Sequence, residues 1–349
     1  MNLPQDDTAS ALNDPVSVLN APVSFLNASG TALRSDTRSK RLLGGGGRRG
    51  AVAVTAAAAL ALSACEPGGR GAAAPLARDR SAGISHRAPT TPRGPAPRKT
   101  LLRFAAIGDL GPGDRQLDVA RRMCRFRRNH PFDLVVTTGD NVYPGGERSQ
   151  FQKAFFRPYR CLLTRGVRFR ATLGNHDIHT RNGRPELREP AFGMKGRNYV
   201  VRRNGVRLVF VNSNRLRLRW LRRALSGRRN NRWKIVIFHH PVYSPGLEHG
   251  STPGFRRVLN PIFRAKGVDL VLNGHEHLYA VTRRIKRIRY VVTGGGGRSL
   301  YSCGRAWFSR RCVSRYHFTF VRVGLRNLSV RAVPARGRFF HQFTTRGRV

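Results

Sequence analysis

The residues of this sequence best suited to chemistry centre on Gly274-His275-Glu276-His277. Two histidines separated by one residue on an extended strand share a face, roughly 7 Å apart. Spaced so, they can give one ligand to each of two adjacent metal ions, or both to a single zinc. A pair of polar loop histidines would read the same in isolation. The upstream fragments change that reading: Asp109, Asp140 with Tyr143, Asn175-His176 and His239 precede it in that order.

Each fragment follows an apolar run. Leu101–Ile107 reads as a buried strand ending in Gly108-Asp109, Phe132–Thr138 as one ending in Gly139-Asp140, and Val167–Leu173 as one ending in Gly174-Asn175-His176. Trp233–Phe238 and Val268–Leu272 lead into His239 and Gly274-His275 in the same way. Helical periodicity is expected over Asp114–Arg128, Ser149–Arg160, Leu216–Leu225 and Thr252–Lys266, the last kinked or broken at Pro261. Asn204-Gly205 is a hairpin turn between Tyr199–Arg202 and Val206–Asn212. Val281–Ile285 pairs with Arg289–Thr293, and Tyr316–Val323 and Leu328–Val333 close the domain. Strands alternating with helices early and hairpins late predict a layered α/β domain with mixed sheets. In such sheets ligands sit beyond the carboxyl ends of the strands, where all five fragments fall.

The formal net charge is +47, which would attract polyanions. The arginines are spread along the whole chain and form no single basic block or aromatic-interleaved platform, so nucleic-acid binding is not expected. The charge suits an anionic substrate instead. No Cys-x-x-Cys pair occurs. Apart from Cys65, the cysteines make an even set of four, as two disulfides of an exported protein would: Cys303 with Cys312 inside one loop, and Cys124 with Cys161 by elimination. The alternative is four buried thiols in a cytosolic protein.

Residues 1–40 are polar and read as disordered, or as the product of a start assigned too early. A basic segment from Arg38 to Arg49 and an apolar run from Ala51 to Leu62 then end in Leu62-Ser63-Ala64-Cys65. This is the pattern of a secretory signal, too short for a bilayer span of ~20 residues. Leu-Ser-Ala-Cys resembles the lipobox of bacterial lipoproteins, which implies a lipidated Cys65 and a chain anchored at the cell surface; the alternatives are ordinary cleavage nearby with secretion, or an uncleaved amphiphilic start. Residues 66–100 are a Pro-, Gly- and Arg-rich linker, and 101–349 form the folded domain.

Gly108-Asp109-Leu110-Gly111, Gly139-Asp140-Asn141-Val142-Tyr143, Gly174-Asn175-His176-Asp177, Val236-Ile237-Phe238-His239 and Gly274-His275-Glu276-His277 resemble, in order, the signature blocks of the calcineurin-like metallophosphoesterases. Tyr143 in the second block marks the similarity to purple acid phosphatases, and the chain resembles their small, tartrate-resistant type over roughly residues 101–320. The resemblance implies an αββα sandwich of two mixed sheets flanked by helices. It also implies Fe(III) held by Asp109, Asp140, Tyr143 and His277, and Fe(II), Zn(II) or Mn(II) held by Asp140, Asn175, His239 and His275. A carboxylate can bridge two cations, which suits Asp140. A phenol of pKa about 10 becomes phenolate in acid only beside a strongly polarising ion, so Tyr143 on Fe(III) would absorb visible light.

The implied reaction is phosphomonoester hydrolysis by a metal-held hydroxide, with His176 the proton donor and His249 assisting. Glu248 is a weaker candidate, and His240 and Asp177 are expected to orient the ligands. Glu276 is expected to point away from the metals. Gly294–Gly297 is a close backbone approach near the site. The reading is a monomeric, exported acid phosphatase acting on a small phosphorylated substrate and touching membrane only through Cys65. Two alternatives remain open: a phosphodiesterase or nucleotide pyrophosphatase of the same fold, and a basic envelope protein that binds polyanions through a vestigial site.

Overall fold

The computed structural model describes residues 100–227 and 232–347. The segment with the signal and lipobox pattern, Cys65 and nearly all of the linker lie outside them.

Parallel order is set early in the chain. β1 (Thr100–Ile107) feeds α1 (Asp114–Asn129) and returns beside itself as β2 (Leu134–Thr137), followed by β3 (Arg168–Arg170). β11 (His317–Gly324) pairs antiparallel with the other edge of β1, and β12 (Asn327–Pro334) and β13 (His341–Arg346) extend that sheet. Its order is β13-β12-β11-β1-β2-β3. The second sheet joins β4 (Tyr199–Arg203), β5 (Val206–Phe210), β6 (Trp233–Ile237), β7 (Leu270–Asn273), β8 (Tyr279–Thr282), β9 (Arg289–Thr293) and β10 (Ser309–Val313) in the order β10-β8-β9-β7-β6-β5-β4. Both sheets are mixed, as expected.

Alternation along the strands builds the layers. Leu102, Phe104 and Ala106 of β1 pack with Phe210, Ile235, Ile237 and Leu272 between the sheets. Ala105 and Ile107 face the other way, against Val119 and Met123 of α1 and Phe155. On the far side, Val236 and Val271 pack against α4 (Leu218–Leu225) and α5 (Phe255–Lys266). Strands covered on both faces read as unbroken apolar runs, which is why their ends were easy to place.

The expected helix over Ser149–Arg160 is instead a 3-10 turn (Arg148–Gln150), a π turn (Gln152–Phe156) and α2 (Arg157–Leu163). Pro158 falls where the π turn passes into α2. α5 runs unbroken through Pro261, because that residue is exposed and the carbonyl it frees can turn to water while Leu259, Ile262 and Phe263 stay buried. β10 and β13 were not expected: β10 buries none of its five residues and β13 only Phe343 and Thr345, so neither carries an apolar run. Cys124–Cys161 joins α1 to α2, and Cys303–Cys312 ties a loop to β10, with Cα separations of 6.4 and 5.9 Å. Among the described residues no helix is long and apolar enough to cross a membrane.

Candidate metal centre

The parallel strands β1, β2, β3, β6 and β7 bring their carboxyl ends to one rim. Close approach there requires glycine: a Cβ on Gly174 would lie 2.0 Å from Asp140 Oδ1, and one on Gly274 2.6 Å from Asp109 Oδ2. Asp109, Asp140 and His275 adopt left-handed backbone, with φ of 57°, 51° and 70°. Such conformations in non-glycine residues cost energy and concentrate at functional sites.

The side chains form two groups that share Asp140. Tyr143 Oη donates to Asp140 Oδ2 at 3.0 Å and lies 3.4 Å from His277 Nε2, which is 3.6 Å from Asp109 Oδ1. On the other side His239 Nε2 lies 3.5 Å from Asp140 Oδ1, 2.9 Å from Asn175 Oδ1 and 3.2 Å from His275 Nδ1. His275 Nδ1 is 3.1 Å from Asn175 Oδ1. His275 and His277 therefore join different groups, the first of the two arrangements open to a His-x-His.

Backbone acceptors fix two ring orientations. His239 Nδ1 donates to Thr138 O at 3.0 Å and His277 Nδ1 to Ser299 O at 2.7 Å, leaving each Nε2 lone pair turned to the rim. Burial drives His239 down to about 3 and His277 to about 4, and lowers His275 too, so these rings stay neutral. Burial, then Asp140, raises the Asp109 carboxyl well above the usual range; burial also raises Asp140. Burial and the same two carboxylates push the Tyr143 phenol higher still. Buried like charges with neutral imidazoles around them are stable as anions only beside cations. The donor set, oxygen and imidazole nitrogen without thiolate, fits di- or trivalent ions.

His176 lies against this set. Its backbone N–H donates to Asp140 Oδ1, its Nδ1 donates to Pro144 O at 2.7 Å, and its Nε2 is 4.0 Å from Asp140 Oδ2. His249 stacks on His275, ring centroids 4.4 Å apart; Glu248 beside it is exposed. His240 bonds Ser213 Oγ through Nδ1 at 2.8 Å, yet a nitrogen of its ring groups with His239 and His275 within 4.8 Å, close enough to share an ion. Asp177 accepts from the backbone of Asn141, Val142 and Gly174, tying the loop after β2 to the loop after β3.

Glu276 keeps clear of both donor groups, as expected, although it lies past the end of β7 and not on the strand; its buried carboxylate accepts from His249 N at 2.8 Å and from Gly250 N, holding the His249 loop, a role the sequence did not indicate. Sequence reasoning missed two neighbours. Tyr301 stacks on His277 at 4.0 Å. Arg298, which closes the Gly294–Gly297 loop, places its guanidinium 5.1 Å from the Tyr143 ring centroid. The basic composition gave no reason to single it out.

A family model for calcineurin-like phosphoesterases matches residues 102–279. The chain is 28% identical over 234 residues to purple acid phosphatase 4 of Arabidopsis thaliana, across 57% of this chain and 69% of that one. It is 25% identical over 241 residues to tartrate-resistant acid phosphatase type 5 of Oryctolagus cuniculus, across 56% and 73%. Among solved structures it resembles a purple acid phosphatase from yellow lupin seeds, with TM-score 0.62 and 18% identity over 71% of this chain and 54% of that one.

Proposed function

This chain belongs to the calcineurin-like phosphoesterase family, and we propose that it is a binuclear phosphomonoesterase working in acid, with one ion of Fe(III) and a divalent partner. The observation that carries the reading is Asp140, whose two oxygens face two separate donor groups. Asp109, Tyr143 and His277 would hold one ion, Asn175, His239 and His275 the other. Bound there, the ions would supply a nucleophilic hydroxide at mild pH and neutralise charge on the phosphoryl group.

The chain's own residues do the rest. His176 donates Nδ1–H to Pro144 O whatever its charge, so Nε2 is the atom that carries the proton to the leaving oxygen. His249, held by Glu276, flanks the same opening. Arg298 offers a guanidinium to the phosphate oxygens. Tyr143 favours the iron-bearing phosphomonoesterase over a diesterase of the same fold, since burial and two carboxylates hold its phenol protonated and only a strongly polarising ion would bind it as phenolate. Two disulfides among the described residues support export to an oxidising compartment; secretion or anchoring at Cys65 belongs to this proposal.

Metal analysis, a visible spectrum and hydrolysis of an aryl phosphate test the reading together. It predicts two ions per chain including iron, a coloured protein, and acid-favoured monoester cleavage. A colourless, iron-free protein that cleaves a bis-aryl diester faster than the monoester would overturn it.

A further inference from the structure

A second concentration of charge lies away from the rim. Arg283 and Arg284 follow β8, Arg289 opens β9, Arg310 and Arg311 lie on β10, and His341 opens β13; all six line one cavity of about 750 Å³. No acidic side chain lines it, and none of its arginines is in an ion pair among the described residues. β9 leads from this cavity to the rim. Its first residue is Arg289 and its last is Thr293, a rise of about 13 Å. Thr293 O receives Gly108 N–H beside Asp109. The two sites are therefore separate.

Arg289 is the informative member. It is 9% exposed; one amino group donates to Thr282 O at 2.6 Å, and its guanidinium lies over Phe343. Its Nε is buried with no partner among the described residues. Burial, then Arg310 and Arg284, disfavour its charge, and burial with Arg311, Arg310 and Arg289 lowers His341 likewise. A guanidinium cannot shed its proton in water, so this cost persists until an anion enters.

We propose that this cavity binds a small oligophosphate, an anion with two or more linked phosphate groups. Several guanidinium forks around one volume match linked phosphates better than a single one, because each fork can take its own pair of oxygens. The volume is in the range of small-ligand pockets. A nucleic acid would ask for a basic stripe with aromatic platforms rather than one cavity.

Methylenediphosphonate, whose P–C–P link resists hydrolysis, is the probe, titrated calorimetrically into the full chain. Wild type and Asp140→Asn should both bind it. Arg283→Ala/Arg311→Ala, at exposed positions, should weaken binding at least about tenfold and leave aryl phosphate hydrolysis unchanged. Arg289→Met should act in the same direction, and the exposed pair decides if that variant misfolds. Unchanged affinity in Arg283→Ala/Arg311→Ala overturns the proposal, as does binding lost only in Asp140→Asn. So does a DNA duplex that binds through Arg283 and Arg311 while the diphosphonate does not bind.

Discussion

The two ends of β9 solve opposite electrostatic problems. Beyond Thr293, buried carboxylates meet neutral imidazoles and a phenol, all groups whose protonation adjusts to burial. Around Arg289 the charges are guanidinium groups, which do not adjust. At the rim, burial shifts the titration of each group against its charged form. The cavity keeps its repulsion at every pH. A titratable cluster stores its need for a counter-ion as shifted pKa values, whereas an arginine cluster stores it as unmatched charge.

The widest separation between the two ends should come from Asp140→Asn. The variant keeps the shape and removes the shared anion, so both donor groups lose their common member. Metal content and kcat should fall together, kcat by about 10³-fold or more, equivalent to roughly 4 kcal/mol. Retention of both ions with a rate within tenfold of wild type would break the assignment of the rim.

A buried histidine behind the rim sharpens the contrast through pH. His317 is fully buried, with Nδ1 on Arg315 O at 2.8 Å and Nε2 3.2 Å from Thr293 Oγ1. Burial lowers it to about 4. Its folded pKa lies below the unfolded value of 6.5, so its contribution is complete above 6.5 and is lost as pH falls towards 4. The full loss is about 3 kcal/mol. Denaturant unfolding of wild type and His317→Asn between pH 7 and 4 should show the smaller slope in the variant; equal slopes would mean that this ring is not held neutral. An enzyme working in acid would carry this cost.

The cavity and the rim are also tied covalently. Cys312 follows Arg311 on β10, and Cys303 lies in the loop whose backbone pairs with Gly246, next to the His249 turn. Removing this short link should cost about 2.5 kcal/mol in the loop-entropy account. Cys303→Ser/Cys312→Ser should therefore lower both stability and kcat. Cys124→Ser/Cys161→Ser, remote from both ends of β9, should lower stability alone. Thermal unfolding and kcat measured on both pairs separate the two effects.

What the sequence revealed follows from the same contrast. Rim residues come from strand tips, where a long apolar run stops at a glycine and a ligand type, so Asp109, Asp140 and His275 could be picked out by position. The hairpin at Asn204-Gly205 and the cysteine pairs carried equally local signals. The arginine cavity draws on four separated segments, and with 65 basic residues in the chain no single arginine stood out. β13 escaped for a different reason: only Phe343 and Thr345 of its six residues are buried, so it has no apolar run.

Glu276 gives the smallest and finest test. Its Oε1 accepts from both His249 N and Gly250 N, while Oε2 is buried with no partner among the described residues. The carboxylate thus fixes the turn that carries His249 without touching either donor group. In Glu276→Gln the amide oxygen can still accept, with neutral rather than charge-assisted bonds, so the loop keeps its path but is held less firmly. We expect full metal content, an unchanged visible spectrum and kcat lower by about tenfold, roughly 1.4 kcal/mol, with the larger change in kcat than in KM. Loss of metal in this variant would place Glu276 in the support of the ions themselves. An unchanged kcat would show that His249 does not depend on this carboxylate.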